Sequence, residues 1–511
     1  MSTRPLSLVW FKKDLRVCDH RPLLEACQIG QTAAVYILEP EWIKSFEFES
    51  GQFLFLEKSL IDLKNDLRKL GIPLIIRYGS AITVFSELIK KWPFSFVFSH
   101  EETGVDWTFK RDLMMKSWFQ SQSVQFTEYP QFGVKRGLKN RDHWLKHRNR
   151  ILNRALHPEI NQVWDSGQPA WTLIKKLELG HLPSLQDLGL PPSEKIFALK
   201  GGRTEAVKTL HSFFDSRGQN YFSSLSSPVT AFDGCSRISP YLSWGNLSIT
   251  EVLSELENKR QSVIGTAREK KWTQNLSQFE SRLWWHCHFI QKLESEPEIE
   301  FENVNRMFDG LRESEFEQKK FQAWCDGQTG FPIIDACMRA LKQHGWINFR
   351  MRAMLMSFAS YQLWLDWRPT ARFLAKHFLD FEPGIHFSQA QMQSGVTGIN
   401  AIRIYSPQKQ TLDRDPNGEF VRKYCPELAK LDTCDLIAPH LTPPFVAASL
   451  DFKIGRDYPE PIVDPELSYH QAKEKIFLWH KKASVQAEAK KVLLKHGSRK
   501  ARHFPTQKRP I

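Results

Sequence analysis

Cysteine is scarce and scattered in this chain of 511 residues. Cys18, Cys27, Cys235, Cys287, Cys325, Cys337, Cys425 and Cys434 stand far apart, and no two form a Cys-x-x-Cys pair. That excludes the usual short-spaced zinc and dithiol signatures and points to free thiols in a reducing cytoplasm. No run of about 18 uncharged apolar residues occurs, so no membrane span is expected. The opening MSTRPLSLVWF lacks the basic start, apolar run and cleavage site of a secretory leader, and its short apolar run reads as a first strand. No Gly-x-Gly-x-x-Gly follows that strand, which leaves a nicotinamide dinucleotide site with little support. Acid is in deficit: 70 Lys and Arg against 57 Asp and Glu give a net charge of +13. This favours an anionic partner, of which nucleic acid is the commonest. The length sets one to three domains, and a 41% hydrophobic content is that of an ordinary globular core.

What the chain does have is tryptophan, 17 in all, which reads either as a large aromatic core or as machinery for electron transfer and base stacking. Its organising stretch is Phe321–Arg368. Gly327 and Gly330 break the chain before Phe331-Pro332, and Ile333, Ala336, Cys337, Ala340 and Leu341 then recur at helical spacing until Gly345. A second helix is predicted through Met351, Leu355, Phe358 and Leu365. Arg350 and Arg352 sit among apolar neighbours in its first turns, so each is either paired in a core or turned to a polar ligand.

Toward the N-terminus, Leu6–Phe11, Ala33–Leu38, Leu74–Arg77, Phe96–Ser99 and Val124–Glu128 read as strands. Phe53, Leu56, Leu60, Leu63, Leu67 and Leu70 mark an amphipathic helix between them. Alternating strands and helices imply a doubly wound parallel sheet. Residues 131–150 are strongly basic with interleaved aromatics, either a solvated linker helix or a track along a phosphate backbone. Residues 157–200, rich in Pro and Gly, read as an interdomain linker. From Gly201 the pattern is mostly helical. Ser239 before Pro240 reads as an N-cap and first turn, a setting that suits a pyrophosphate. The tail after Glu488 holds eight Lys or Arg and no acid, and reads as a solvated segment able to touch DNA.

WCDGQTGFPIIDACMRAL, then GWINFRMR, then DWR resemble, in order and spacing, the photolyase/cryptochrome flavoprotein family, in a divergent photolyase-like form. WFKKDLRVCDHRPL, SHEETG with Arg111-Asp112, GCSRISPYL, LDFEPG, DPNGEFVRKYCPEL and YPEPIVD extend the likeness from Leu8 to about Arg422 and over Pro459 to Asp464. The resemblance implies an α/β antenna-type domain over 1–130 and a linker over 131–200. A mostly α-helical FAD-binding domain over 201–484 and a basic tail over 485–511 complete it. It implies FAD in a U-shaped pocket, held by Tyr221, Cys235, Ser236, Arg237, Ile238, Ser239, Phe279, Arg352, Asp380 and Glu382, with Arg352 paired to Asp380. Cys235 replaces the usual Thr, and a thiol is a poorer donor. An antenna chromophore of unknown identity is possible, or else the N-terminal charges are solvated helix ends. Some relatives carry an iron–sulfur cluster; the cysteine spacing does not suggest one, and no metal is expected.

The implied substrate is UV-damaged DNA and the implied activity is light-driven electron transfer from reduced FAD to a cyclobutane pyrimidine dimer. The alternatives are repair of 6-4 photoproducts and a cryptochrome-type photoreceptor without repair. The departures matter. Aligned on Trp285, Arg282 stands where the family has a dimer-bonding Glu, while His286 and Cys287 replace an Arg-Glu pair. Arg282 is therefore either a donor to base carbonyls or a phosphate contact. Asn348, Phe349 and Ala353 stand where 6-4 enzymes place histidines. Trp285, Phe349 and Met392 are the candidate stacking residues, Asn348 a candidate edge contact, and His386 aligns near the flavin N5 partner. His286, Arg350, Lys146 and Arg148 are the candidate DNA contacts. The usual photoreduction chain keeps only its middle member, Trp367, so another route is expected through Trp364, Trp324 or Tyr405. The expected state is a cytoplasmic monomer, nucleoid-associated when bound to DNA.

Overall fold

The computed structural model describes residues 6–160, 178–196 and 199–498. Five strands, β1 Leu6–Phe11, β2 Gln31–Leu38, β3 Leu74–Tyr78, β4 Phe96–His100 and β5 Gln125–Tyr129, form one sheet in the order β3-β2-β1-β4-β5. Every pairing is parallel, with Leu6 opposite Gln31 and Ser7 opposite Phe96. All six residues of the central β1 are buried, as a strand covered on both faces requires. Helices α1 Arg21–Ile29 and α2 Ser50–Lys69 pack on the face carrying Val9, Phe11, Ala34 and Tyr36. Helices α3 Ala81–Lys91 and α4 Asp106–Ser121 cover Leu8, Trp10, Ala33 and Val35 on the other face. The doubly wound sheet read from the sequence is therefore present, each strand lying within two residues of its expected place.

The basic stretch after β5 folds inward. Helix α5, Trp144–Leu152, buries Trp144, Arg148 and Leu152. The expected linker is thus anchored in the core by Phe132, Val134, Trp144, Leu152 and Ile160, with the residues between them largely exposed. Of the rest, 161–177 lie outside the described residues, and Leu179 accepts a hydrogen bond from Ile76 N at the edge of β3.

The helices that build the site follow: α6 Ser239–Ser243, α7 Glu269–Ser295, α8 Pro332–His344, α9 Phe349–Ser360, α10 Trp367–His377 and α11 Pro383–Ser394. Ile238 is the capping position of α6, and Ser239 is its first residue rather than its cap. Gly345 ends α8 in the left-handed region, φ 67°, where glycine is the natural stop. Helix α9 ends at Ser360, so Leu365 lies beyond it.

Two further helices, α12 Pro465–His480 and α13 Ala483–His496, close the chain. Helix α13 corrects the expected tail boundary at 484, because Val485, Val492 and His496 are buried. His496 and Lys495 both bond Glu296 at the end of α7. Residues 499–511 lie outside the described part.

The loop after β1 joins the two domains. Leu15 N donates to Trp244 O (3.2 Å), and Arg16 Nη1 donates to Gly245 O (3.0 Å). Gly245 has φ +68°, and a Cβ there would lie 2.4 Å from Asp14 Cα. Asp14 itself is a fully used anchor. Its carboxylate accepts from Lys12 N, His20 Nε2 and His100 Nδ1 at 2.8, 2.9 and 2.8 Å. Leu23 N donates to His20 Nδ1 (3.1 Å), which fixes the proton on Nε2 and suits a structural carboxylate rather than a metal ligand set.

Candidate functional site

A cavity of about 670 Å³ opens between the Tyr221 and Cys235–Ser239 segments, α7, α9, α11 and the loop carrying Arg403 and Tyr405. Its buried end is polar by design of the chain. Arg352, one turn into α9, donates Nη1 and Nη2 to the two oxygens of Asp380 at 3.0 and 2.8 Å, and Nε to Ile347 O at 2.8 Å. Its guanidinium also lies 4.0 Å from the Phe378 ring centroid. The fork leaves the arginine one orientation. Glu382 is buried, and its Oε1 has no partner. Burial pushes its carboxyl up to about 8, Glu102 and Glu47 adding to the rise against Lys13. It is therefore a neutral hydrogen-bond donor at pH 7. His386 Nε2 donates to Ala371 O (2.8 Å), and burial holds its imidazole down to about 4, so it too is neutral.

The opposite wall is built for an anion. Arg217 lies behind the Cys235–Ser239 segment and donates to the carbonyls of Asp233, Cys235 and Ser236. Arg237, held at φ +57°, has an Nε without a partner. Burial pushes the Cys235 thiol up to about 12, so it stays protonated. Tyr221 and Phe279, perpendicular at 5.8 Å, close this end with Phe213.

All ten residues expected to hold the cofactor line this one cavity, as do Arg282, Trp285, His286, Asn348, Phe349, His386, Met392 and Tyr405. At the mouth Arg282 is exposed, hydrogen-bonds Tyr221 and lies 6.0 Å from the Phe349 ring. Phe349 is 50% exposed. Arg350 stands beside Arg403 and Arg414, whose charges with burial lower its own proton affinity.

Asn348 lines the cavity and also donates one Nδ2 hydrogen to Leu225 O (3.1 Å). His286 lines the cavity edge-on to Phe132 at 4.9 Å, and burial with the nearby Arg148 holds its imidazole down to about 4, so it stands there neutral. Several expectations need correcting. Arg148 is buried against Asn149 and the Cys287 thiol; only Lys146 of that pair is exposed. Trp367, Trp364 and Trp324 do not line the cavity. Trp367 donates to Asn303 and lies 6.3 Å from Phe387. Trp364 has Arg312 and Lys475 over its ring at 4.5 and 4.8 Å. Trp324 is buried against Phe373 with its indole nitrogen unbonded.

Of the charges in and around the SHEETG segment, Glu102, Arg111 and Asp112 are buried in one ion-pair cluster rather than solvated. Arg111 bonds Glu39 and Glu102, both at 2.5 Å, and Asp112 at 3.0 Å. A cavity of about 30 Å³ lies beside Glu102 and Gly104, and one of about 10 Å³ lies beside Lys13, Trp42 and Trp244. Among the described residues no three cysteines come together, and no helix is long and apolar enough to cross a membrane. Sequence reading missed Arg217, Arg403, Arg414 and Gln393. Their only signal is proximity in the chain: Arg217 lies four residues before Tyr221, and Arg403 two before Tyr405.

Comparisons with known proteins agree with this geometry. The family profile described as "DNA photolyase" matches residues 7–131, and "FAD binding domain of DNA photolyase" matches residues 279–477. A protein named cryptochrome DASH from Gloeobacter violaceus is 28% identical over 91% of this chain and 94% of its own. A deoxyribodipyrimidine photo-lyase from Agrobacterium fabrum is 27% identical over 91% and 96%. Among solved structures, a bacterial class III photolyase from Agrobacterium tumefaciens superposes with a TM-score of 0.77 at 26% identity, covering 94% of this chain and 99% of that one. A Synechocystis cryptochrome shares the fold, TM-score 0.80 at 22% identity, over 93% and 100%. The residues present fit FAD: the unpartnered Arg237 Nε and the clamped Cys235–Ser239 segment suit its pyrophosphate, and the Arg352 fork with the unpartnered Glu382 suits its polar ring edge. The chain belongs to the photolyase/cryptochrome flavoprotein family, whose cofactor is FAD.

Proposed function

We propose that this protein uses blue light and reduced FAD to split cyclobutane pyrimidine dimers in UV-damaged DNA, working as a cytoplasmic monomer that joins the nucleoid on binding. The cofactor supplies a light-excited one-electron donor, and the chain's residues bind, orient and shield. The observation that carries the reading is the mouth of the cavity. Phe349 is an apolar side chain left half in solvent at a functional opening, with Trp285 and Met392 inside it. Such surfaces accept bases flipped out of a duplex, which stack on aromatic and apolar side chains. Arg282, exposed at the mouth beside Tyr221 and Phe349, presents donors to the base carbonyls and offsets negative charge arriving on the dimer. Arg350, Arg403 and Arg414 supply positive charge for the flanking phosphates. At the inner end the Arg352 guanidinium favours a reduced, negatively charged cofactor.

The test is repair of a dimer-containing oligonucleotide by the reduced protein under blue light and in darkness, counting restored pyrimidines. Light-dependent restoration supports the proposal. A second reading, a flavin photoreceptor without repair, draws on the arginine at position 282 where the family's dimer-bonding acid stands. Flavin and DNA retained with no restoration favours that reading, after a 6-4 substrate has also been tried.

A further inference from the structure

We infer that the closing helix α13 positions the rim loop of residues 396–404, which carries Arg403 at the mouth of the cavity, so that DNA binding depends on α13 being docked. The inference rests on the nucleic-acid reading of the mouth for what the loop binds; the support that α13 gives is independent of it. Arg403 is exposed and lines the cavity, on an irregular stretch between α11 and the helix that starts at Pro407. Such a stretch takes its shape from what it is tied to and what it lies on. Gly395 closes α11 at φ 74°, and its carbonyl accepts from His480 Nε2 of α12 (3.1 Å). At the other end Ser357 Oγ of α9 donates to Arg403 O (3.1 Å) and accepts from Tyr405 N (3.2 Å), while Gln362 Nε2 donates to Tyr405 O (2.6 Å). Between these ties Thr397 Oγ1 donates to Asn400 Oδ1 (2.8 Å).

The middle of the loop rests on α13. A Cβ built on Gly398, φ +73°, would lie 2.5 Å from Asn305 Nδ2 and 3.1 Å from Ala489 Cβ, so the loop backbone meets α13 at close range. Asn305 is fully buried, and its Nδ2 donates to Val485 O (3.0 Å). Loop, Asn305 and α13 thus form one packed layer. Helix α13 is itself held away from the cavity: Val485 and Val492 are buried, and Lys495 and His496 reach Glu296 at the end of α7. Among the described residues, none of α13 lines the cavity, so its influence on the mouth passes through the loop. A loop already held in its binding shape loses less freedom when a ligand arrives. That preorganisation is what α13 contributes to binding through Arg403.

The experiment is amide hydrogen exchange, read by mass spectrometry on the FAD-loaded full chain without DNA. Val485→Ser combined with Val492→Ser weakens the buried stripe of α13. The expected result is faster exchange in 483–496 and, with it, about tenfold faster exchange in 396–404, while 332–344 keeps the parental rate and FAD stays bound. Faster exchange in 483–496 with a parental rate in 396–404 overturns the inference. If the double variant fails to hold FAD, Ala489→Leu decides, because it crowds Gly398 from the α13 side: a changed rate in 396–404 supports the inference, and a parental rate overturns it. A second readout separates positioning from general loosening. In the parent, Arg403→Gln is expected to weaken binding of a dimer-containing oligonucleotide, and in the α13 variant to add little further loss. Equal losses in the two backgrounds overturn the positioning of Arg403 by α13. The parent's preference for damaged over intact DNA reads the lesion assignment separately.

Discussion

Single side chains divide the site into a cofactor half and a substrate half. Arg282→Ala should cut dimer splitting strongly at saturating DNA if the guanidinium acts on the dimer; unchanged turnover with weaker binding would make it a phosphate contact only. Asp380→Ala leaves the part-buried Arg352 facing the cavity without its carboxylate, a loss below the about 3–5 kcal/mol of a fully buried pair. The expected result is loss of bound FAD in gel filtration together with a lower Tm. Glu382 gives a sign that can be checked by pH. Its folded affinity for protons is raised, from 4.5 to about 8, so the folded state holds a proton that the unfolded state releases. Stability from this group is complete below about pH 4.5, falls as pH rises through the window to 8, and is then level. In FAD-free protein, Glu382→Gln should remove that fall, so that thermal melts of parent and variant diverge with rising pH. At this scale the sequence revealed who lines the cavity, because motif residues carry the family resemblance one by one. It did not reveal which way they face. Arg148 was misjudged because burial against a thiol leaves no trace in local spacing.

Among the elements, the loop after β1 and the turn at Gly245 decide how the two domains meet. Gly245→Ala adds left-handed strain of about 1 kcal/mol and drives a methyl against the Asp14 backbone, overpacking that costs about 1–3 kcal/mol more. A Tm loss is expected, with calorimetry showing whether the domains then unfold apart. Strands and long helices were legible because hydrophobic periodicity is set by local geometry, as in α2, where Phe53, Leu56, Leu60, Leu63 and Leu67 are all buried. Helix α13 was missed because its lysines mask a narrow buried stripe of Val485, Val492 and His496. The Trp284–Trp144 contact was equally invisible, since α5 and α7 lie more than a hundred residues apart in sequence.

Across the whole molecule, charge and cavity face the same partner. A net charge of +13 predicts DNA affinity that falls steeply with salt as condensed counterions are released. Replacing Arg350, Arg403 or Arg414 by Gln should each lower the slope of log affinity against log salt by about 1, measured by fluorescence anisotropy, without shifting the preference for damaged over intact DNA. Arg282→Gln should instead reduce that preference. The long α7 underlies this separation. It is 27 residues, about 40 Å, of one rigid rod, and it presents Phe279, Arg282, Trp285, His286 and Phe289 to the cavity at successive turns. Because a helix spaces its side chains without help from their identity, single codon changes at 282 or 286 can alter what the mouth accepts while the flavin's seat stays where it is. A lineage built on this rod has room to drift between repair and signalling without having to refold.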